Sequence, residues 1–398
     1  MLAVIETHPI QYHAPVYRVL QTQLQVPVTV IYGSDFSVSG YRDREFQASF
    51  AWDTNLLSGY TSLFLSRASE GGASCYEEVT AKGLKEALRQ LAPASVLIGG
   101  YNLGFYKSAF YRAWRERYPI LFRAETTDHA LPRGRVKQWS RDQSLHTLYQ
   151  RCSKLLYIGQ RSYLHYKRLG CADEKLIFSP YCVDTEPFEL DEKARSRLRQ
   201  ATRESLGVTE EQSVVLFSGK LSARKGPDLL LEAIKKLPPP IRDNTVAVFL
   251  GGGDLKEELH ERAQSSPAVK VCFVGFRNQT QLSPYYHAAD LLSLPSRYSE
   301  TWGLVVNDAL HHGLPCVVSD AVGCAPDLIE AGITGEFFKS GSAAELAQAL
   351  QRALKLVGDV QARESCRIKM GNYTVERAAE GIAQAYHQVT TARRAVNA

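Results

Sequence analysis

The stretch Pro295-Ser296-Arg297-Tyr298-Ser299-Glu300-Thr301-Trp302-Gly303-Leu304-Val305-Val306-Asn307-Asp308 decides how this chain is read. Before it, Leu291-Leu292-Ser293-Leu294 is an apolar run of strand length. After it, Ala309-Leu310-His311-His312-Gly313 continues a helix and stops it at glycine. Strand, loop and helix follow one another, with Glu300 at the helix mouth and Gly303 in the expected first turn. The open amides and positive dipole end of such a helix suit a phosphate. Asp308 stands eight residues beyond Glu300. With a helix starting near Gly303, both acids can face one cleft. The two acids are then candidates to hold a sugar hydroxyl and a ribose diol with a diphosphate between them, or else two solvated acids on an ordinary buried strand–helix pair.

Working outward, the second half repeats the strand-to-loop pattern. Ser213-Val214-Val215-Leu216-Phe217-Ser218 reads as a strand. It runs into Gly219-Lys220-Leu221-Ser222-Ala223-Arg224-Lys225-Gly226-Pro227-Asp228, then a helix from Leu229 to Leu237. Three cations in a glycine-bounded loop that opens a helix form a phosphate clamp, although the loop lacks the G-x-x-x-x-G-K-[ST] spacing. Further strands are expected at Val246–Leu250, Lys270–Phe276, Cys316–Asp320 and, entered by a glycine turn, Gly332–Phe338, with amphipathic helices at Ser342–Val357 and Val375–Arg394.

The first half begins with the strand Met1–Ile5, leaving through a loop that carries His8, Gln11 and His13. In an open parallel sheet that loop borders the cleft, so these residues are candidate ligand contacts, or else plain polar packing. Strands at Val26–Tyr32, Ser95–Ile98, Pro119–Arg123 and Leu155–Gly159 complete a second sheet. Residues 33–75 show weak periodicity and read as long loops shaping a pocket. Gly100, Tyr101 and Asn102 follow one strand. Glu125, Asp128 and His129 follow another, and all six are candidates on the acceptor side. The polar run Asp191–Arg203 reads as a connecting helix. The pattern gives an α/β fold of two doubly wound parallel-sheet domains facing a cleft.

Composition narrows the class. A chain of 398 residues with net charge +5 suits two domains. Between Tyr101 and Gly170 stand fourteen Lys/Arg against four Asp/Glu. That local excess suggests an anionic acceptor, a face on an anionic membrane, or simply a solvated basic surface, and no nucleic-acid partner. The eight cysteines have no metal-ligand spacing, and no metal site is expected. No signal peptide or spanning helix is expected either, which points to the cytoplasm.

With these motifs in hand, the chain resembles the retaining, metal-independent glycosyltransferases of the GT-B fold, group 4. The resemblance covers about residues 213–340. It rests on Phe217-Ser218-Gly219-Lys220-Leu221, Lys225-Gly226, the glycines of Gly251–Gly253, Val274-Gly275-Phe276, the Pro295–Leu304 motif, Gly313-Leu314-Pro315-Cys316-Val317 and Gly332–Phe337. It implies a nucleotide-diphosphate sugar as co-substrate, no cofactor, and a glycan, lipid-linked or small-molecule hydroxyl acceptor. Carried over, Lys220 and Lys225 hold the diphosphate, with Arg224 able to share that role. Glu300 binds the donor sugar, and Asp308, where the family has glutamate, binds the ribose. Phe276 and Arg277 border the base, the amides of Gly303 and Leu304 meet the phosphates, and Gly219, Thr301 and Trp302 are further donor-binding residues. Lys220, Lys225 and Glu300 are the catalytic set. The expected division is an acceptor domain at 1–190, a donor domain at 191–374, and a crossing helix at 375–398. A nucleotide-sugar 2-epimerase and a non-catalytic homologue are the alternatives on this fold.

Overall fold

The computed structural model describes residues 1–43, 47–129 and 134–397. The first lobe holds seven strands: β1 Leu2–Glu6, β2 Val28–Tyr32, β5 Thr61–Phe64, β6 Ser95–Ile98, β7 Ile120–Arg123, β8 Lys154–Tyr157 and β9 Leu176–Phe178. They lie in the order β5-β2-β1-β6-β7-β8-β9, and every pairing is parallel. A small antiparallel hairpin, β3 Tyr41–Asp43 with β4 Ala48–Phe50, lies outside that sheet. The second lobe holds β10 Ser213–Ser218, β11 Thr245–Leu250, β12 Lys270–Gly275, β13 Leu291–Leu294, β14 Cys316–Ser319 and β15 Gly335–Phe338, ordered β12-β11-β10-β13-β14-β15, again all parallel. Together these are the two parallel-sheet lobes of the GT-B fold.

The central strands are continuous aliphatic runs because helices cover both faces. In β10 and β11, Val214, Val215, Leu216, Phe217, Val246, Val248 and Phe249 are all buried. The terminal helix Val375–Asn397 crosses back. Its Val375, Ala378, Ile382 and Val389 join the core built on Leu2, Val4, Val28 and Leu121. The run after Asp191 is a helix, Glu192–Ser205, capped by the Asp191 carboxylate on the Ala194 amide at 2.8 Å. It is more than a connection. Arg199 and Arg203 reach Asp290 at 2.9 and 3.2 Å, fastening it to the second lobe.

The 33–75 region departs from the loop expectation. It contributes the edge strand β5, the hairpin, and a short helix, Phe36–Ser39. β5 is an edge strand whose four residues are exposed or half-exposed, so no apolar run announces it. Among the described residues no helix is long and apolar enough to cross a membrane.

Candidate active site in the interlobe cleft

The loops leaving the carboxyl ends of both sheets meet across the gap between the lobes. The Pro295–Leu304 loop is fixed by its backbone. The Gly323 amide donates to the Glu300 carbonyl at 3.0 Å, and the Cys324 amide to the Trp302 carbonyl at 2.9 Å. Gly303 has φ +102°, and a Cβ there would lie 2.9 Å from Leu294 Cδ2. Only glycine admits that turn. Ser299, next to Glu300, is a non-glycine residue at φ +54°, a conformation that concentrates at functional sites. The helix after the loop spans Val305–His311, starting two residues later than the sequence suggests, so Asp308 lies in its first turn.

Glu300 is buried and well partnered. Its Oε2 accepts from Lys225 Nζ and from Ser296 Oγ, the latter at 2.7 Å, with Arg224 Nη1 at 3.9 Å. Burial alone would raise its pKa, but the Lys225 ammonium, Ser296 and Arg224 outweigh it and hold the carboxyl below its ordinary value. Arg224 also donates to the Ser299 carbonyl at 3.2 Å. Lys220 points elsewhere, with its Nζ 3.4 Å from Asp43 of the first lobe. The three clamp cations therefore straddle the cleft.

Asp308 is 3% exposed, and among the described residues no hydrogen bond reaches its Oδ1. Burial raises its pKa to about 8. It lines a cavity of about 110 Å³ with Gln11, Trp52, Gly219, Phe276 and Arg277. Gln11, expected on the acceptor side, thus sits on the Asp308 side of the cleft. The Phe276 ring stacks on Phe50 of the first lobe, with centroids 4.4 Å apart, and Arg277 Nε donates to the Tyr285 hydroxyl at 3.2 Å.

Trp302 does not line the cleft. Its indole is 3% exposed, packs edge-on to Tyr181 and near Tyr373, and donates from Nε1 to Asn307 Oδ1 at 2.8 Å. A large apolar ring here fills the seam between lobes instead of meeting a ligand. Leu304 also turns inward, packing on the second-lobe core. Only the backbone of Gly303 and Leu304 can meet a ligand. Thr301 faces the gap, and its hydroxyl bonds Glu125 across it.

The acceptor-side candidates separate. His8, His13, Gly100, Tyr101, Asn102 and Glu125 line one cavity of about 290 Å³, and Thr301 closes its edge. His8 is held neutral, its pKa pushed down to about 4 by burial. Asp128 and His129 border a different hollow, with Gln138 and Leu164. Asp128 is bound by His165 at 2.9 Å and Arg168 at 2.8 Å; burial would raise its pKa, but these partners pull it well below the carboxylate range. Among Glu125, Asp128 and His129, therefore, Glu125 alone reaches the cleft.

Reading the residues in order misses several that the fold brings in. Glu6 ends β1 and lines the cavity of about 290 Å³, and a charged residue closing an apolar strand is the signal that would have found it. Ser296 holds Glu300. Tyr12, Phe50, Trp52, Tyr76 and Tyr181 arrive from scattered positions with no local pattern.

Three comparisons bear on this geometry. Residues 199–370 match the model of the family described as Glycosyl transferases group 1. A protein of Mycobacterium tuberculosis named D-inositol 3-phosphate glycosyltransferase is 32% identical over 176 residues, which is 42% of this chain and 35% of the relative. The aligned part thus spans about a third of the length of that relative. The structure of Anabaena Alr3699/HepE in complex with UDP superposes with a TM-score of 0.70 at 18% identity, covering 97% of this chain and 99% of that one. A glycosyltransferase from Rickettsia africae superposes with the same score at 13% identity, covering 98% of each. At these identities the superpositions show a shared fold.

Proposed function

We propose that this chain, whose second lobe belongs to the group 1 glycosyl transferases, moves a sugar from a nucleotide-diphosphate sugar to a hydroxyl acceptor with retention of configuration. One observation carries the reading: the interlobe cleft holds the Lys225–Glu300 pair, the Asp308 carboxyl, whose Oδ1 has no hydrogen bond among the described residues, and, across the gap, Glu125 bonded to Thr301.

The chemistry asked of these residues is modest. Lys225, with Arg224 and Lys220, meets the diphosphate and stabilises the charge that grows on it as the bond to the anomeric carbon breaks. Preorganised charge of this kind supplies several kcal/mol, on the order of 3 per group. Glu300 accepts from the donor sugar's hydroxyls, and Asp308 from the ribose diol. The acceptor oxygen forms its new bond on the face the diphosphate leaves, and the departing phosphate oxygen takes the acceptor's proton. The cations of the clamp do the work that a bound divalent ion does elsewhere, so turnover is expected to persist in EDTA. No organic cofactor takes part.

The acceptor side also suggests a peripheral membrane contact. Trp139 is 65% exposed, and Val136, Leu164, Tyr111 and Trp114 are also exposed, with Lys137 and Arg115 on the same helices as Trp139 and Trp114 and Arg151 over the Trp114 ring. Exposed aromatic and aliphatic side chains set among cations suit an anionic bilayer surface. This reading fits a glycolipid or lipid-linked acceptor worked on from the cytoplasmic side.

The deciding experiment is a thermal-shift screen of UDP, GDP and ADP, followed by transfer assays with the sugar nucleotides of the best binder. UDP is tried first because it is the nucleotide held by the Anabaena neighbour. A true ligand at a hundred times its dissociation constant adds about 2.7 kcal/mol of stability. Stabilisation by none of the three would reject the reading. Conversion of donor to an epimer without acceptor would favour the epimerase.

A further inference from the structure

We propose that the 290 Å³ cavity at the end of β1 takes an uncharged polyhydroxy ring, a sugar or cyclitol, with no phosphate on the part that enters. The inference rests on the glycosyl-transfer reading and names the acceptor class for the same cleft.

Size comes first. Ligand cavities run from about 300 Å³ upward. This one is at that lower limit, so it has room for one ring and not for an extended chain.

Charge comes next. Two carboxylates, Glu6 and Glu125, line the cavity with one guanidinium, Arg123, and with the His13 ring, whose Nδ1 lies 3.0 Å from Glu6 Oε1 and is engaged by that carboxylate. Arg123 is buried and turned toward neutral oxygens. Its Nε donates to the Ser179 hydroxyl at 3.0 Å, its Nη2 to the Pro180 carbonyl at 2.6 Å, and its Cζ lies 5.7 Å from the centre of the Tyr181 ring. The His8 ring is neutral and adds no cation. A phosphate monoester entering here would meet the buried Glu6 carboxylate and the exposed Glu125 carboxylate, which electrostatic complementarity disfavours.

Hydrogen bonding points the same way. Glu6 Oε1 accepts from the Tyr17 hydroxyl at 2.7 Å and lies 3.0 Å from His13 Nδ1, and Oε2 accepts from the Tyr106 hydroxyl at 3.0 Å. Burial would raise its pKa, but His13 and the two hydroxyls keep it ionised. A fully ionised carboxylate has about four acceptor positions, so one remains for a ligand hydroxyl. The approach is kept open by Gly99, where a Cβ would come within 2.7 Å of Glu6 Oε1. At the cleft edge both Glu125 oxygens are taken by hydroxyls, from Tyr181 and Thr301. An incoming acceptor hydroxyl can replace that of Thr301 one for one. Tyr76, 40% exposed, and Tyr101 offer aromatic faces to the ring. The basic excess between residues 101 and 170 suggested an anionic acceptor instead. Arg141 and Arg168 are paired with Asp128 and Asp142, and among the described residues Arg123 is the one of those cations that lines the cavity.

The test is saturation-transfer NMR on the full chain, with the nucleoside diphosphate that gives the largest thermal shift. The probes are matched pairs: myo-inositol against D-inositol 3-phosphate, and methyl glucoside against glucose 6-phosphate. The expected result is signal from at least one neutral ring, at least tenfold stronger than from its phosphorylated partner. Glu125→Lys is expected to reverse that preference while nucleotide affinity stays within about twofold. Stronger signal from the phosphorylated members, or from neither class, overturns the inference. Nucleotide binding is measured separately by calorimetry. Its retention beside a negative ring result defeats this inference alone, whereas its absence defeats the transferase reading beneath it.

Discussion

Lys225→Ala separates what the cation does for the fold from what it does for the reaction. In the wild type, Lys225 and Glu300 form a buried pair whose side chains are 14% and 8% exposed. Removing one partner of such a pair strands the other charge, which costs about 3–5 kcal/mol. Here the Ser296 hydroxyl and the Arg224 guanidinium remain beside Glu300, so the lower end, about 3 kcal/mol, is expected. For a unit the size of the second lobe, about 2–4 °C per kcal/mol gives a fall in Tm of about 6–12 °C. The pH dependence has a definite sign. Glu300 has a depressed pKa in the folded state, so its contribution is present above its ordinary value of 4.5 and is lost as pH falls through the folded value. In Lys225→Ala that contribution disappears and the Tm difference from wild type narrows toward pH 4. Catalysis loses at least about 2 kcal/mol of transition-state stabilisation, about thirtyfold in kcat/KM. The control is Lys225→Met with Glu300→Gln, which removes both charges. Its stability is expected to return to within about 1 kcal/mol of wild type while transfer stays lost. Scanning calorimetry at pH 4 and pH 7.5, with a coupled assay for nucleoside diphosphate release, reads all of this. A single variant that loses less than about 1 kcal/mol, or that turns over at near-normal rates, would refute the reasoning.

Asp308 supplies a second test, because its carboxyl is protonated at neutral pH, with a pKa pushed up to about 8 by burial. Ribose hydroxyls donating to it favour the ionised form, so nucleotide binding at pH 7.5 is expected to release up to one proton; calorimetry in two buffers of different ionisation enthalpy checks this, and Asp308→Asn should abolish the release. In the unliganded protein the folded state holds that proton between about pH 4 and pH 8 while the unfolded chain has lost it, so stability falls as pH rises there. Asp308→Asn should therefore gain on wild type as pH rises from 4 to 8, by up to about 1.4 kcal/mol for each pH unit over which the folded state keeps the extra proton, and gain nothing at pH 4, as read by Tm. Glu300→Gln is expected to impair transfer more than nucleoside diphosphate binding, and equal losses in kinetics and calorimetry would reject a role at the sugar. Trp139→Glu should cut co-sedimentation with vesicles containing phosphatidylglycerol at least fivefold without moving the Tm, and equal sedimentation would remove that face as a membrane contact.

Legibility in the sequence was uneven, and the reason is physical. The second lobe keeps its chemistry on contiguous turns, so Gly219–Asp228 and Pro295–Asp308 could be read as a clamp and a carboxylate loop without coordinates. Its strands were visible because both faces are buried and the runs are continuously apolar. The first lobe hides more. The helix Arg135–Gln150 has only Leu145 and Tyr149 buried, so no apolar stripe marks it. Its cavity is assembled from residues 6, 8, 76, 101, 123, 125 and 181, which only the sheet order brings together. Trp302 was misjudged for a related reason. It belongs to the motif, and position in a motif does not say which way a side chain points.

That indole explains how the two halves of the site stay in register. From Trp302 Nε1 the bonds run to Asn307 Oδ1, from Asn307 Nδ2 to the Tyr181 carbonyl at 3.2 Å, from the Tyr181 hydroxyl to Glu125, and from Glu125 back to Thr301. The circuit starts and ends on neighbouring residues of the Glu300 loop and passes through the wall of the first-lobe cavity. The links at Trp302 and Asn307 are buried, where each is costly to break singly and an unpaired polar group is disfavoured, while the Glu125–Thr301 link is exposed. A shift of the loop carrying the donor-side carboxylate therefore moves the wall carrying Glu125. When an acceptor hydroxyl takes the place of Thr301 on Glu125, the links through Trp302, Asn307 and Tyr181 remain and keep the Glu300 loop against the acceptor cavity, as attack on a single carbon from a single face requires.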